Sequence, residues 1–190
     1  MSYLEAPVMA SVMHALTVPK TGGDTLFADL ARAYETLTPA VRTAVEHLHA
    51  VHSYAASFSS EAGGAARATR PDLAKVRAHA VENGLVASHP IVRTHPETGR
   101  RALFVSRGFT TEIVGLQKEQ SDVLLEQLFA HCEGPEHTVR HRWVEGDIVI
   151  WDNRRMMHRA LPFQEEEVRH MHRTTIKGDR PYRAPRDCRL

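Results

Sequence analysis

The chain has 190 residues, 42% of them hydrophobic, enough for one substantial core and too few for two comfortable domains. Its 24 lysines and arginines against 23 acidic residues leave a formal charge of +1, so the fold as a whole projects no field that would gather nucleic acid or a membrane surface. The two cysteines, Cys132 and Cys188, match neither a disulfide framework nor a zinc-ribbon spacing, and no apolar run is long enough to span a bilayer; a single soluble, cytoplasmic unit over residues 1–190 is expected.

In chain order, MASVMHALTV at 9–18 is short, apolar and bounded by Pro7 and Pro19, which suits a strand. TGGD at 21–24 makes a turn, and LFADLARAYETL then carries Leu26, Leu30, Ala33 and Tyr34 at helical spacing. Thr38 as N-cap with Pro39 at N1 opens a second helix through about His49. Residues 57–88 are rich in Ala, Ser, Gly and charge and read as a mobile surface insertion of the kind that acts as a lid. HPIVRTHPETGRRALFVS is a β-hairpin around HPETGR. A helix over 117–132, with Ser121 as its cap, aligns Leu124, Leu125, Leu128, Phe129 and Cys132 and ends at Gly134-Pro135. HTVRHRWVEGDIVIWDNRRMMHRA alternates around a tight VEGD turn, and HRTTIKGD adds a last strand. The sum is a mostly antiparallel β domain with helices outside it.

Chemistry concentrates in residues 151–179, which hold three histidines and five arginines. His158 follows the strand-like GDIVIWDN, where its side chain could point inward. A lone histidine is nonetheless more often a surface or hydrogen-bonded core residue than a metal ligand. Arg169 and Arg173, four apart, share one face of a strand. If that face points inward, two guanidinium groups need carboxylates, from the protein or from a ligand. The planar fork of either could hold one end of a dicarboxylate whose other end reaches a metal at His158. The plain alternative is a solvated or salt-bridged strand face. In HLHAVH, side chains two apart on a helix diverge; His14, His79, His131 and His137 stand isolated. RATR at 67–70 lacks the aromatic interleaving of a single-strand binder, and Glu165 to Glu167 read as a solvated loop.

GGDTLFADLARAYETL, FTTEIVGL and RHRWVEGDIVIWDNRRMMHRA…RHMHRTTIKGD, in that order, resemble the TauD/TfdA family of taurine and 2,4-dichlorophenoxyacetate dioxygenases. The resemblance implies a mainly β fold with flanking helices, a double-stranded β-helix or cupin-like jelly roll. It implies Fe(II) held by two histidines and a carboxylate, 2-oxoglutarate as cosubstrate, O2, and a small anionic organic substrate: a sulfonate, alkyl sulfate or phenoxyalkanoate. The substrate is hydroxylated as succinate and CO2 are released. By this resemblance His158 is a metal ligand, Thr25 and Arg169 bind 2-oxoglutarate, Arg173 meets the substrate, and Trp151, Asp152 and Asn153 form the scaffold that presents His158. Relatives are often homo-oligomers. No nucleic acid or membrane partner is implied.

The remaining two ligands of the family come as His-x-Asp, and by register that Asp falls immediately before Met1. The fold is thus expected to be incomplete at the N-terminus, and the chain to be inactive alone for want of those ligands. A rival of another class is a non-catalytic β-helix domain that binds a small anion or a protein partner through Arg169 and Arg173.

Overall fold

The computed structural model describes residues 1–58 and 82–185, with Lys75, Ala78 and His79 between them. Most of the expected 57–88 insertion lies outside the described residues, though its last three join a strand. Four antiparallel sheets make up the β framework. The first orders β11 (His170–Ile176), β1 (Ala10–Thr17) and β9 (Ile148–Asp152). The second orders β10 (Met156–Ala160), β2 (Thr25–Asp29) and β8 (Thr138–His141). The third orders β4 (Val86–Pro90), β3 (His49–Ser53) and β7 (Thr110–Ile113), and β5 (Val92–Thr94) pairs with β6 (Arg101–Leu103) as the expected hairpin. No helix among the described residues is long and apolar enough to cross a membrane.

The first third of the run LFADLARAYETL is strand, so it is not all helix. Residues 25–29 form the central strand of the second sheet, paired on both sides, and only Leu30–Glu35 winds into α1. Asp29 makes the switch: its Oδ1 accepts from the backbone N–H groups of Ala31 and Arg32 at 3.0 and 3.1 Å, which is N-cap chemistry inside what reads as one periodic run. Helix α2 (Pro39–Val45) begins as expected, with Thr38 Oγ1 accepting from Val41 N, but stops four residues before His49 because the chain turns there into β3. Helix α3 (Lys118–Cys132) has Gln117 at its N-cap without a side-chain bond, so Ser121 is not the cap. Ser121 instead lies inside the helix and accepts from Ile113 N at 2.8 Å, tying α3 to the end of β7.

These helices close the core. Leu125, Leu128, Phe129 and Cys132 of α3 pack with Leu30, Ala33 and Tyr34 of α1 and with Ile91, Leu103 and Ile113 from the sheets. Burial pushes the Cys132 thiol up to about 12, so it sits there as an apolar filler rather than a nucleophile.

The first two sheets face one another. Trp151, opposite Ser11 in the first sheet, puts its ring 5.3 Å from that of Phe27 and 4.8 Å from that of His158, both on the second. Directly paired residues of antiparallel strands point to the same side, and alternate residues along a strand share it. The inward face of the first sheet therefore carries Ser11, Met13, Trp151 and Arg173, and that of the second carries Thr25, Phe27 and His158.

Candidate active site

Strand β2 builds the site by pairing. Phe27 lies opposite His158 and Thr25 opposite Ala160, so Thr25 and His158 project from one face of the second sheet, one pair apart. The His158 ring is held edge-on by Trp151 and tilted against Phe27 at 6.2 Å. Trp151 is fixed in turn: its indole N–H donates to Asn153 Oδ1 at 2.9 Å, and the Asn153 amide donates to Ser11 Oγ at 3.0 Å on the neighbouring strand.

Asp152, between them, points elsewhere. It receives the Arg154 guanidinium at 2.7 to 3.1 Å and a bond to His95 Nε2 at 2.9 Å. Burial alone would raise its pKa, but these hydrogen bonds hold it down to about 2.

Arg169 lies just ahead of β11 rather than within it. A loop-to-loop seam sets its position: Gly23 N donates to Pro162 O at 3.0 Å, Leu161 N to Asp24 O at 2.7 Å, and Arg169 Nε to Gly23 O at 2.9 Å. Gly23 must be glycine here. Its φ is +68°, and a Cβ would meet Pro19 Cγ at 2.6 Å and Arg169 Cδ at 3.2 Å. Asp24, next to Gly23, is engaged by Arg140 Nε at 2.6 Å. Arg169 is half-buried, and its guanidinium has no carboxylate partner among the described residues; burial lowers its pKa against the opposing pull of Asp24. Two residues along, Thr25 is 4% exposed, and its Oγ1 accepts from the Trp143 indole N–H at 2.9 Å. Its own proton goes to no described residue.

Thr25, His158 and Arg169 therefore gather around strand β2 and the seam before it. Arg173 is on the inward face of the first sheet, in register with Met13, and exposed. His170 and His172, on either side of Met171, stack edge-on with each other at 5.2 Å. Of the remaining arginines in the basic stretch, Arg154 belongs to the Asp152 network and Arg155 pairs with Asp29 at 2.6 Å, so the cluster divides by partner rather than forming one patch.

Two groupings escape a reading of the sequence. His131 and His137, which stand isolated along the chain, have rings 4.6 Å apart, because Gly134-Pro135 folds the chain back after α3. With Glu136 they offer ligand atoms within 4.8 Å of one another, but three of their four ring nitrogens are engaged: His131 Nε2 bonds Ala33 O at 2.8 Å, and His137 bonds Thr36 Oγ1 and His131 O, both at 2.7 Å. They close a helix-to-helix joint and fit a metal poorly. His52 and His89, each 1% exposed, grip the first residues of the chain: His89 Nε2 lies 2.9 Å from both Ser2 O and Leu4 O, and His52 Nδ1 lies 3.0 Å from Ser2 Oγ. No local pattern announces them, since their partners are some 50 and 85 residues away.

A family model described as "Taurine catabolism dioxygenase TauD, TfdA family" matches residues 1–175. The chain belongs to the TauD/TfdA family. The (S)-phenoxypropionate/alpha-ketoglutarate-dioxygenase of Sphingobium herbicidovorans is 35% identical over 178 residues, 94% of this chain and 60% of that protein. A crystal structure of a taurine dioxygenase from Burkholderia xenovorans superposes with a TM-score of 0.77 at 37% identity, covering 95% of this chain and 56% of that one. The crystal structure of AAD-2 in complex with Mn(II) and N-oxalylglycine superposes with a TM-score of 0.79 at 30% identity, over 95% of this chain and 67% of that one. The chain thus spans a little over half the length of the first two and two thirds of the third. The mainly β framework with few helices agrees with these TauD/TfdA folds.

Proposed function

We propose that this chain carries the cosubstrate half of an Fe(II)- and 2-oxoglutarate-dependent dioxygenase acting on a small anionic substrate. One observation carries the reading: among the described residues Arg169, half-buried, has a backbone carbonyl and no carboxylate as partner, and the buried Thr25 hydroxyl two residues from that carbonyl has a proton to give. A desolvated guanidinium without a carboxylate is costly unless a ligand supplies one. The fork of Arg169 matches one carboxylate of a dicarboxylate, and Thr25 adds a single directed donor.

His158 fits a first-row divalent ion, being an imidazole on the inward face with its ring held by Trp151 and Phe27. It is one of the three ligands the family uses, the other two being a His-x-Asp pair. Iron(II), when bound, supplies the oxygen activation that couples decarboxylation of 2-oxoglutarate to succinate with hydroxylation of a substrate C–H. The protein's own part is positioning. Arg169 and Thr25 fix the far carboxylate of 2-oxoglutarate, His158 contributes one ligand, and Arg173, from the facing sheet, meets the substrate's carboxylate, sulfonate or sulfate. N-oxalylglycine in the AAD-2 complex is itself a dicarboxylate of matching shape, which supports this reading.

The test is succinate formation with iron, 2-oxoglutarate and ascorbate, measured for this chain and for one extended upstream through His-x-Asp. Turnover gained with the extension is the expected result, and folded protein inert in both forms overturns the reading. The rival is a metal-independent domain that binds a small anion or a protein partner through Arg169 and Arg173. Calorimetry separates the two: 2-oxoglutarate affinity of the extended protein that ignores iron favours the rival.

A further inference from the structure

Thr25 is in a bonding state that calls for explanation. A hydroxyl has one proton to donate and two lone pairs to accept with, whereas an indole N–H can only donate. The 2.9 Å bond from Trp143 Nε1 therefore consumes a lone pair of Thr25 Oγ1 and turns the hydroxyl proton away from the indole. On a helix that proton would find a carbonyl one turn back, but Thr25 is in an extended strand paired on both sides, to Ala160 and to His141. The residue is 4% exposed, so bulk water does not take the proton either.

We propose that Trp143 is a positioning residue that aims the Thr25 hydroxyl at the carboxylate of the bound 2-oxo acid. The proposal rests on the cosubstrate reading above and adds a residue to it. Trp143, 8% exposed, is itself held rigidly. Its ring stands edge-on to His141 at 4.6 Å, His141 is directly opposite Thr25 in the β2–β8 register, and His141 Nε2 bonds Asp147 Oδ2 at 3.1 Å. The same Asp147 oxygen accepts from Val144 N at 3.0 Å and closes the VEGD turn. A turn, a histidine and an indole thus orient one hydroxyl beside Arg169, whose Nε bonds the carbonyl of Gly23 two residues before Thr25. A freely rotating hydroxyl would spend part of its time pointing elsewhere; here the orientation is set before the ligand arrives.

A double-mutant cycle tests this, read by isothermal titration of the chain with 2-oxoglutarate. Thr25→Val keeps the shape and removes the hydroxyl; Trp143→Phe keeps a ring and removes the N–H. Trp143→Phe is expected to weaken binding by about fivefold beside Thr25 and by less than about twofold in the Thr25→Val background, since its effect passes through the hydroxyl. Replacing Trp143 with benzothienylalanine, which puts sulfur where the N–H was, repeats the test at constant shape should Trp143→Phe fold poorly. Equal weakening in both backgrounds, or none in either, overturns the role given to Trp143 and leaves the cosubstrate reading intact. A chain that does not bind 2-oxoglutarate at all overturns both.

Discussion

Arg154 and Arg169 are both withdrawn from water, and the fold treats them differently. Arg154, 6% exposed, is surrounded by acids: it meets Asp152 through Nε and Nη2 and Glu97 through Nη1 at 2.8 Å. Arg169, half-buried, meets the carbonyl of Gly23 and no carboxylate among the described residues. The first is a cation the protein has neutralised for itself, and the second is, on the proposed reading, one that a ligand carboxylate neutralises. Composition does not distinguish them, because both come from one basic stretch; what separates them is which loops the fold lays beside each. Substitutions should accordingly divide into those that cost stability and those that cost ligand affinity.

The largest effect is expected at the compensated pair. Asp152→Ala leaves the buried Arg154 guanidinium with only the exposed Glu97 of its two acids and should cost about 3 kcal/mol of unfolding free energy, measured by urea denaturation. Arg169→Ala should do the opposite. Stability should change by less than about 1 kcal/mol, while 2-oxoglutarate affinity should fall by about 3 kcal/mol, roughly a hundredfold, in calorimetry. If Arg169→Ala unfolds the protein and leaves affinity alone, the two arginines are the same kind of structural cation and the contrast collapses.

Gly23→Ala tests the seam that separates the two. The left-handed backbone at φ +68° costs a side chain about 1–2 kcal/mol, and the new Cβ presses on Pro19 and Arg169. Stability and 2-oxoglutarate affinity should therefore fall together, by moderate amounts, unlike either arginine substitution alone. Equal affinity in the variant would mean that Gly23 shapes the turn without placing Arg169.

Much of this frame is legible along the chain. Alternation and turn chemistry mark β1, the hairpin of β5 and β6, and the VEGD turn, where Gly146 does adopt φ +89°. The Thr38-Pro39 start of α2 is equally local. What is not legible depends on pairing. The part of LFADLARAYETL that becomes β2 is decided by β8 and β10, over a hundred residues downstream, since a central strand flanked on both sides needs no alternation of its own. Ser121 reads as a cap because its true partner, Ile113 N, belongs to the preceding strand. At the site the residue types stand out, but the asymmetry between Arg154 and Arg169 appears only when Glu97, His95 and Gly23 are brought in from distant segments. Trp143 and the buried pair His52 and His89 are visible only through contacts that cross the fold.

The smallest expected effect extends the contrast from arginines to a group the fold tolerates only when neutral. His52 is 1% exposed; burial, with the nearby His89 and the chain's amino terminus, pushes its pKa down to about 3, and His89 is shifted the same way. Arg93, 2% exposed and near His89, adds another positive charge that disfavours protonation. Below the ordinary histidine pKa the unfolded chain takes up protons that the folded chain refuses. Their contribution to stability is therefore whole above about pH 6.5 and declines as pH falls below it, for His52 at up to about 1.4 kcal/mol per pH unit down to about pH 3, with His89 acting in the same direction. Asp152, depressed to about 2, loses its contribution only below the usual carboxylate range, so the window between pH 6.5 and 4 belongs to the histidines. Unfolding free energies from urea titrations at pH 7.5 and 5.5 should differ by about 1 kcal/mol or more in the unmodified chain and by less in His52→Gln, which keeps a polar reach toward Ser2 without a titrating ring. A variant with an undiminished pH slope would assign that slope to His89 or another group.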